Sequence, residues 1–222
     1  DLPDLRFLAQ GGGKLAPNLF EAYARYALDS NKQFIATYGQ TEGTARMTFF
    51  PAHMALKKIG SIGRGMPTGT LGIIDDCNEL QNNNSIKGEL VYFGKNVTMG
   101  YSLKSTDLKK GDENNGYLIT GDMAFRDEDG YYFIIGRKNR FVKIFGERIS
   151  LDHLEQTIAS NFNLKCICLG DDTKIRVLLD NMRLRQDVSQ FLNQKVHIKN
   201  CSFAIEALTE IKRNDFGKVM YK

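Results

Sequence analysis

The chain has 222 residues, 42% of them apolar, with 30 Lys and Arg against 26 Asp and Glu for a formal net charge of +4. That balance supplies packed cores and excludes a disordered chain. No apolar run approaches the roughly 18 residues that a membrane span needs, and the polar start Asp1-Leu2-Pro3-Asp4 does not read as a signal peptide, so a cytoplasmic protein is the expectation.

The charge is uneven. From Arg137 onward there are 16 Lys and Arg against 10 Asp and Glu, a surplus of six, which leaves a deficit of two in residues 1–136. A basic second part suits polyphosphate ligands, although a merely soluble basic surface would look the same. Dispersed basic residues with no reader motif speak against a nucleic-acid partner. The four cysteines form no C-x-x-C pair; Cys166 and Cys168 alternate along an apparent strand, and all four read as reduced, packed thiols.

In chain order, Leu5 to Ala9 is a short apolar run that stops at Gly11-Gly12-Gly13, as a buried strand does where backbone must pass close to something. Pro17 to Leu28 carries Leu19, Phe20, Tyr23, Tyr26 and Ala27 at helical spacing, and Phe34 to Tyr38 is a second strand ending at Gly39. Strand, helix, strand, with both loops at strand C-termini, is a piece of an α/β sheet, where ligands usually sit. From Lys58 to Gly136 short strands alternate with Gly, Asn and Asp: Gly69–Ile74, Gly88–Phe93, Tyr117–Thr120 and Tyr131–Ile135, an antiparallel sheet or partly open barrel. Asp127-Glu128-Asp129-Gly130 is turn chemistry between two of these strands.

After Arg137 a small α+β unit follows. Phe141 to Phe145 is a strand, Ser150 caps a helix to about Asn161, Leu164–Leu169 and Ile175–Leu179 are strands, a helix covers Leu184–Leu192, and a last strand lies near Val196–Ile198. The run Gly136-Arg137-Lys138-Asn139-Arg140 is the expected interdomain hinge. The fold class is therefore multi-part: a remnant of an α/β sheet (1–57), an antiparallel, barrel-like β subdomain (58–136) and a small α+β domain (137–222).

Three segments could carry chemistry. Tyr38-Gly39-Gln40-Thr41-Glu42-Gly43 sets an aromatic, a hydroxyl and a carboxylate on a glycine-flexed loop, which suits a base, a phosphate and a hard cation; alone it would more often be a polar turn. Thr120-Gly121-Asp122 ends an apolar strand with a carboxylate that suits a ribose diol, a solvated turn aspartate being the equal alternative. Arg137 and Arg148 flank a strand, and Lys218 follows Gly217 in a charged tail. Gly11-Gly12-Gly13-Lys14 lacks the spacing of a phosphate-binding G-x-x-x-x-G-K-[ST] loop, and Asp215-Phe216-Gly217 has no H-R-D segment upstream, which removes the kinase reading. His53, His153 and His197 are scattered without metal-ligand spacing.

Taken in order and at these separations, the segments resemble the later motifs of the adenylate-forming (AMP-binding) enzymes, among them acyl-CoA synthetases, and the resemblance covers Leu5 to Lys222. It implies that Gly12, Gly13 and Lys14 lie along an adenine. Tyr38 would stack on the base within the motif that includes Gly39 and Gln40, Thr41 would bind phosphate, and Glu42 would hold Mg²⁺. Asp122 and Arg137 would hold ribose hydroxyls, Arg148 would approach the phosphate after rotation of the small domain about Asn139, and Lys218 would assist adenylation.

The implied activity is ligation of a small-molecule carboxylic acid by way of an acyl-AMP made from ATP, with transfer to coenzyme A or a phosphopantetheine carrier protein. Three departures stand against that pattern. The family's phosphate loop precedes these motifs and is not among the 222 residues, so an N-terminal portion of the same enzyme is the expected partner. Asn139 stands where Asp or Lys is usual, and Lys212 where Pro is common. The alternative is a catalytically silent nucleotide-binding or interaction module.

Overall fold

A computed structural model describes residues 3–81, 83–194, 198–199, 202–210, 213 and 219–221. The chain divides into two compact units, Asp1–Lys138 and Asn139–Lys222.

Unit 1 opens with β1 (Phe7–Gln10), α1 (Pro17–Asp29) and β2 (Gln33–Ala36). β1 and β2 pair in parallel, Phe7 opposite Gln33 and Gln10 opposite Ala36, so their C-termini and the loops beyond them leave from one edge. Pro17 begins the helix at a position whose N–H has no helical partner. Phe20, Ala24 and Ala27 are the buried stripe of α1, and Phe20 meets Phe34 edge-on at 4.9 Å between ring centroids. The second strand begins one residue before the expected Phe34 and ends two before the expected Tyr38, where the backbone N–H donates to Thr48 Oγ1 at 2.9 Å instead of to a ladder partner.

The rest of unit 1 is one antiparallel sheet of seven strands: β3 (Thr48–Phe49), β4 (Ser61–Gly65), β5 (Gly69–Ile74), β6 (Leu80–Gln81), β7 (Ile86–Gly94), β8 (Tyr117–Arg126) and β9 (Tyr132–Arg137). Their order is β3-β4-β9-β8-β7-β5-β6, with β3 and β6 at its two ends, so it is an open sheet rather than a closed barrel. It begins at Thr48, ten residues before the expected start. β4 has no apolar alternation to announce it, since three of its five residues are Gly63, Gly65 and Ser61. Asp127 forms the β8–β9 turn by accepting from Tyr131 N at 2.8 Å, as the turn chemistry anticipates. Met47, Leu90, Tyr92 and Ala124 are fully buried in this unit's sheet core.

Unit 2 contains β10 (Phe141–Ile144) and β11 (Glu147–Ser150) as a hairpin, then α2 (Leu151–Phe162), β12 (Cys166–Gly170), β13 (Ile175–Leu179), α3 (Arg185–Gln194) and β14 (Phe203–Ala207). Ser150 caps α2, its Oγ accepting from His153 N at 3.2 Å. β12 pairs antiparallel and β14 parallel with the central β13. Leu154 and Ile158 of α2, Val188 and Leu192 of α3, and Val177 and Leu179 of β13 share one core. Of the strand expected near Val196–Ile198, residues 196–197 lie outside the described residues; Ile198 is buried without being in a strand, and β14 is the third strand of the sheet. Cys168 is fully buried and Cys166 partly so, but Cys77 is exposed, against the expectation of packed thiols; Cys201 lies outside the described residues. Among the described residues no helix is long and apolar enough to cross a membrane.

Candidate active site

The loops that follow β1 and β2 are neighbours because the strands are. Thr37, one residue past β2, donates its N–H to Gln10 O at 2.9 Å. A Cβ on Gly11 would lie 2.9 Å from Thr37 Oγ1, so the first glycine keeps the two loops in contact. Past it, Gly12 and Gly13 face open space, since a Cβ added to either would meet no atom within 4 Å, and Lys14 is exposed. The backbone at 12–13 is thus accessible to a flat ligand.

The 38–48 loop is wound on itself. Tyr38 O accepts from Met47 N at 2.8 Å and from Thr48 N at 3.2 Å, and Thr44 O accepts from Gln40 N at 3.2 Å. A side chain at 39 would place its Cβ 2.2 Å from Thr44 O, so glycine is the residue that permits this closure. Thr41 stands exposed at the tip and Glu42 half-buried beside it.

Asp122 does not end a strand as expected; β8 runs on to Arg126. The pairings Val91–Ile119 and Glu89–Met123 leave Leu90 opposite three residues, Thr120, Gly121 and Asp122, which is a bulge. Gly121 supplies a φ of +72°, and Thr120 stitches the bulge by donating to Leu90 O at 2.7 Å and accepting from Asp122 N at 3.1 Å. The sequence showed the tripeptide but not the bulge, because the apolar pattern breaks there just as it would at a strand end.

The bulge aims the Asp122 carboxylate at the 38–43 loop. Oδ2 accepts from the Tyr38 hydroxyl at 2.5 Å and from Gln40 Nε2 at 3.0 Å, while Oδ1 meets Arg137 Nε at 2.9 Å. Arg137 is also the cross-strand partner of Asp122, and its Nη1 donates to Thr120 O at 3.3 Å. Gln40 closes the group with a 2.9 Å bond to the same carbonyl. Four of the residues singled out from sequence, from three segments up to 99 positions apart, therefore meet at one point. Asp122 is 5% exposed, and burial together with its carboxylate pushes the Tyr38 hydroxyl well above the ordinary tyrosine value, so Tyr38 remains a donor.

Glu42 has a partner that the sequence did not indicate. Its carboxylate accepts from the Tyr101 hydroxyl, and its carbonyl accepts from Thr98 N at 2.8 Å. The 98–101 segment is held from its other side by Glu113 N donating to Met99 O at 2.8 Å. An exposed tyrosine in a polar loop carries no periodic signal that could have found it.

Arg148 belongs to unit 2, inside β11 and opposite Lys143 rather than beside a strand, with its guanidinium 5.1 Å from the Phe141 ring centroid. Lys218, with Lys212 and Gly217, lies outside the described residues. Among the described residues no group of three or more His, Cys, Asp or Glu side chains is arranged to hold a metal by itself.

An open glycine backbone and a wound polar loop at the strand ends of the α/β piece, and a bulge-borne carboxylate bonded to that loop, thus lie within unit 1. Residues 1–102 match the family of AMP-binding enzymes, and that part of the chain belongs to it. It is 33% identical over 155 residues to the 2-succinylbenzoate–CoA ligase of Oceanobacillus iheyensis, covering 70% of this chain and 30% of that protein. The ligase of the same name from Bacillus licheniformis is 25% identical over 224 residues, covering 97% of this chain and 45% of that one. In structure the chain resembles the O-succinylbenzoate coenzyme A synthetase of Bacillus subtilis solved with AMP, at a TM-score of 0.74 and 18% identity, over 97% of this chain and 45% of that one. The chain thus spans 30% to 45% of the length of these relatives.

Proposed function

We propose that the chain carries the ribose, adenine and lid side of an ATP-dependent carboxylate ligase, which activates an acid as acyl-AMP and passes the acyl group to the thiol of coenzyme A or a phosphopantetheine carrier. The convergence of Tyr38, Gln40, Asp122 and Arg137 is the observation that carries this reading. In it, Gly12, Gly13 and Lys14 lie along the adenine, whose flat face needs the side-chain-free backbone found there. Tyr38, fixed by its hydroxyl, presents its ring to the base. Asp122 and Arg137 exchange part of their mutual bonding for the ribose hydroxyls, and Gly39 and Gln40 hold the loop in shape.

Thr41, exposed beside Glu42, donates to a phosphate. A lone carboxylate at Glu42 fits Mg²⁺, which commonly takes one or two carboxylates and completes its shell with water and substrate phosphates. The ion supplies charge neutralisation on those phosphates. Residues 1–136 form the later part of the large domain and 137–222 the lid, with Asn139 as the pivot. The lid brings Arg148 and Lys218 to the phosphates as a carboxylate oxygen attacks the α-phosphate and pyrophosphate leaves; positive charge placed there stabilises the developing negative charge.

The relatives make 2-succinylbenzoate the first acid to try. Calorimetric titration of the folded chain with AMP and with 2′,3′-dideoxy-AMP tests the site: AMP is expected to bind and the dideoxy compound to bind more weakly. No AMP binding, or equal binding of both, refutes the ribose assignment. Pyrophosphate exchange by the 222 residues with 2-succinylbenzoate and a panel of acids is expected to be absent, since the phosphate loop is not among them. Robust exchange would show that these residues are sufficient.

A further inference from the structure

Glu89 is a carboxylate that the ligase reading does not use. It lies in β7, one of the central strands of its sheet, and is 5% exposed. Lys138, the residue that follows β9, reaches it with Nζ 2.6 Å from Oε2. The residue before, Arg137, is itself held to Asp122. Two consecutive ion pairs therefore fasten the end of β9 to β8 and β7, within unit 1.

Arg140 is fastened at least as firmly within unit 2. It is 6% exposed. Its Nε meets Asp152 Oδ1 at 2.8 Å, its Nη2 meets Glu155 Oε1 at 2.5 Å, and its Nη1 donates to Cys168 O at 2.7 Å. The Cζ of the same guanidinium lies over the Tyr221 ring, 3.6 Å from the ring centroid. Glu155 is held in turn by Cys168 N at 2.8 Å. α2, β12 and residue 221 are thus tied to position 140.

Asn139 lies between these anchors. Its side chain is exposed, and the boundary between the two compact units falls at its N-terminal side. We infer that Glu89–Lys138 and the Arg140 cluster act as paired anchors that confine rotation between the units to the backbone of Asn139. Lys138 and Arg140 are positioning residues in this arrangement. It rests on the reading of Asn139 as the pivot of the ligase cycle, and adds what makes one residue the pivot. A flexible linker of several residues would let the lid adopt many orientations. Fixing residue 138 to one rigid body and residue 140 to the other leaves the dihedrals of a single residue, so the lid samples few orientations and returns to the same ones.

The test measures distances between the units in the 222-residue chain. One spin label is placed on exposed Cys77 and one on Gln190→Cys, with Cys166 and Cys201 replaced by Ser, and the distribution is read by double electron–electron resonance. Lys138→Ala and Glu89→Gln are expected to broaden it, Lys138→Arg to leave it native, and Asn139→Pro to narrow it. Trypsin supplies a second readout. Glu89→Gln is expected to speed cleavage after Lys138 by roughly tenfold, as loss of one charge-assisted hydrogen bond implies, with cleavage after Arg140 unchanged. If Asn139→Pro leaves the distribution as it was, the pivot reading falls and this inference with it. If Asn139→Pro narrows it while Lys138→Ala and Glu89→Gln leave it native, the anchors are overturned and the pivot stands. Broadening in Lys138→Ala that Lys138→Arg shares, or that only follows a lowered melting temperature, also overturns the anchors.

Discussion

The Tyr38 hydroxyl donates to Asp122 Oδ2 at 2.5 Å across 84 residues of sequence, and this bond joins the loop after β2 to the bulge in β8. Asp122 is buried and Tyr38 half-buried, and the bond holds the tyrosine ring and the carboxylate in one geometry.

Tyr38→Phe removes that donor and leaves Gln40 and Arg137 on the carboxylate. The expected loss is about 1.5–3 kcal/mol of stability in unit 1, the range for a hydrogen bond to a charged acceptor. The pH dependence has a definite sign. The hydroxyl is raised by burial first and by Asp122 next, so its folded value exceeds the unfolded value near 10.0. Its contribution is complete below pH 10 and is lost as pH rises through the folded value. Chemical denaturation between pH 7 and 11 should show native stability falling above pH 10 and a shallower fall in Tyr38→Phe; parallel curves would contradict the assignment.

Tyr101→Phe releases the Glu42 carboxylate from its hydroxyl partner. Tyr101 is exposed, so water screens the bond and the gain is small: a few-fold lower Mg²⁺ requirement for nucleotide binding. Titration of Mg²⁺ at fixed ATP measures it. An unchanged or higher requirement would separate Tyr101 from the cation.

Arg140→Met strands Asp152 and Glu155 without their common partner. Removing one side of a buried ion pair costs about 3 kcal/mol, so unit 2 should melt well before unit 1 in calorimetry. Tyr221 rides on the same guanidinium, its hydroxyl pushed up to about 12 by burial and by Glu155. Its contribution to unit 2 is complete below pH 10 and lost as pH rises through about 12; Tyr221→Phe should remove that alkaline loss.

Lys218→Ala, in a form of the enzyme competent for both half-reactions, should slow acyl-AMP formation by about 10²–10³ and spare thioester formation from supplied acyl-AMP. Single-turnover kinetics of each half-reaction decide this. Equal losses in both would make Lys218 a structural residue.

Asn139→Pro in the same enzyme should keep one half-reaction and lose most of the other, with the thermal melt intact, because proline fixes φ near −65° and restricts Lys138. Two half-reactions near wild type, or lowered together with stability, would remove the pivot assignment.

The local pattern determined a good deal of this chain by itself. Helical spacing and Pro17 placed α1 to within a residue of its end, Ser150 announced α2, and β5 and β13 have the limits that their apolar runs imply. Those elements are set by interactions within a turn or a strand, which sequence spacing records. The motif residues stood out by residue type and order, and Tyr38, Gln40, Asp122 and Arg137 among them meet in the fold.

Tertiary structure decided the rest. β8 continues through Asp122 only because Thr120 and Gly121 build a bulge against β7, an arrangement that local spacing reads as an end. β11 and β14 depend on partners that sequence alternation does not name, and β4 is too rich in glycine to alternate at all. The bonds between Tyr38 and Asp122, Tyr101 and Glu42, and Lys138 and Glu89 join positions 49 to 84 residues apart. Pairs of this kind leave no period in the sequence, since each is made by two side chains whose distance is set by strand pairing and loop path and not by their own neighbours.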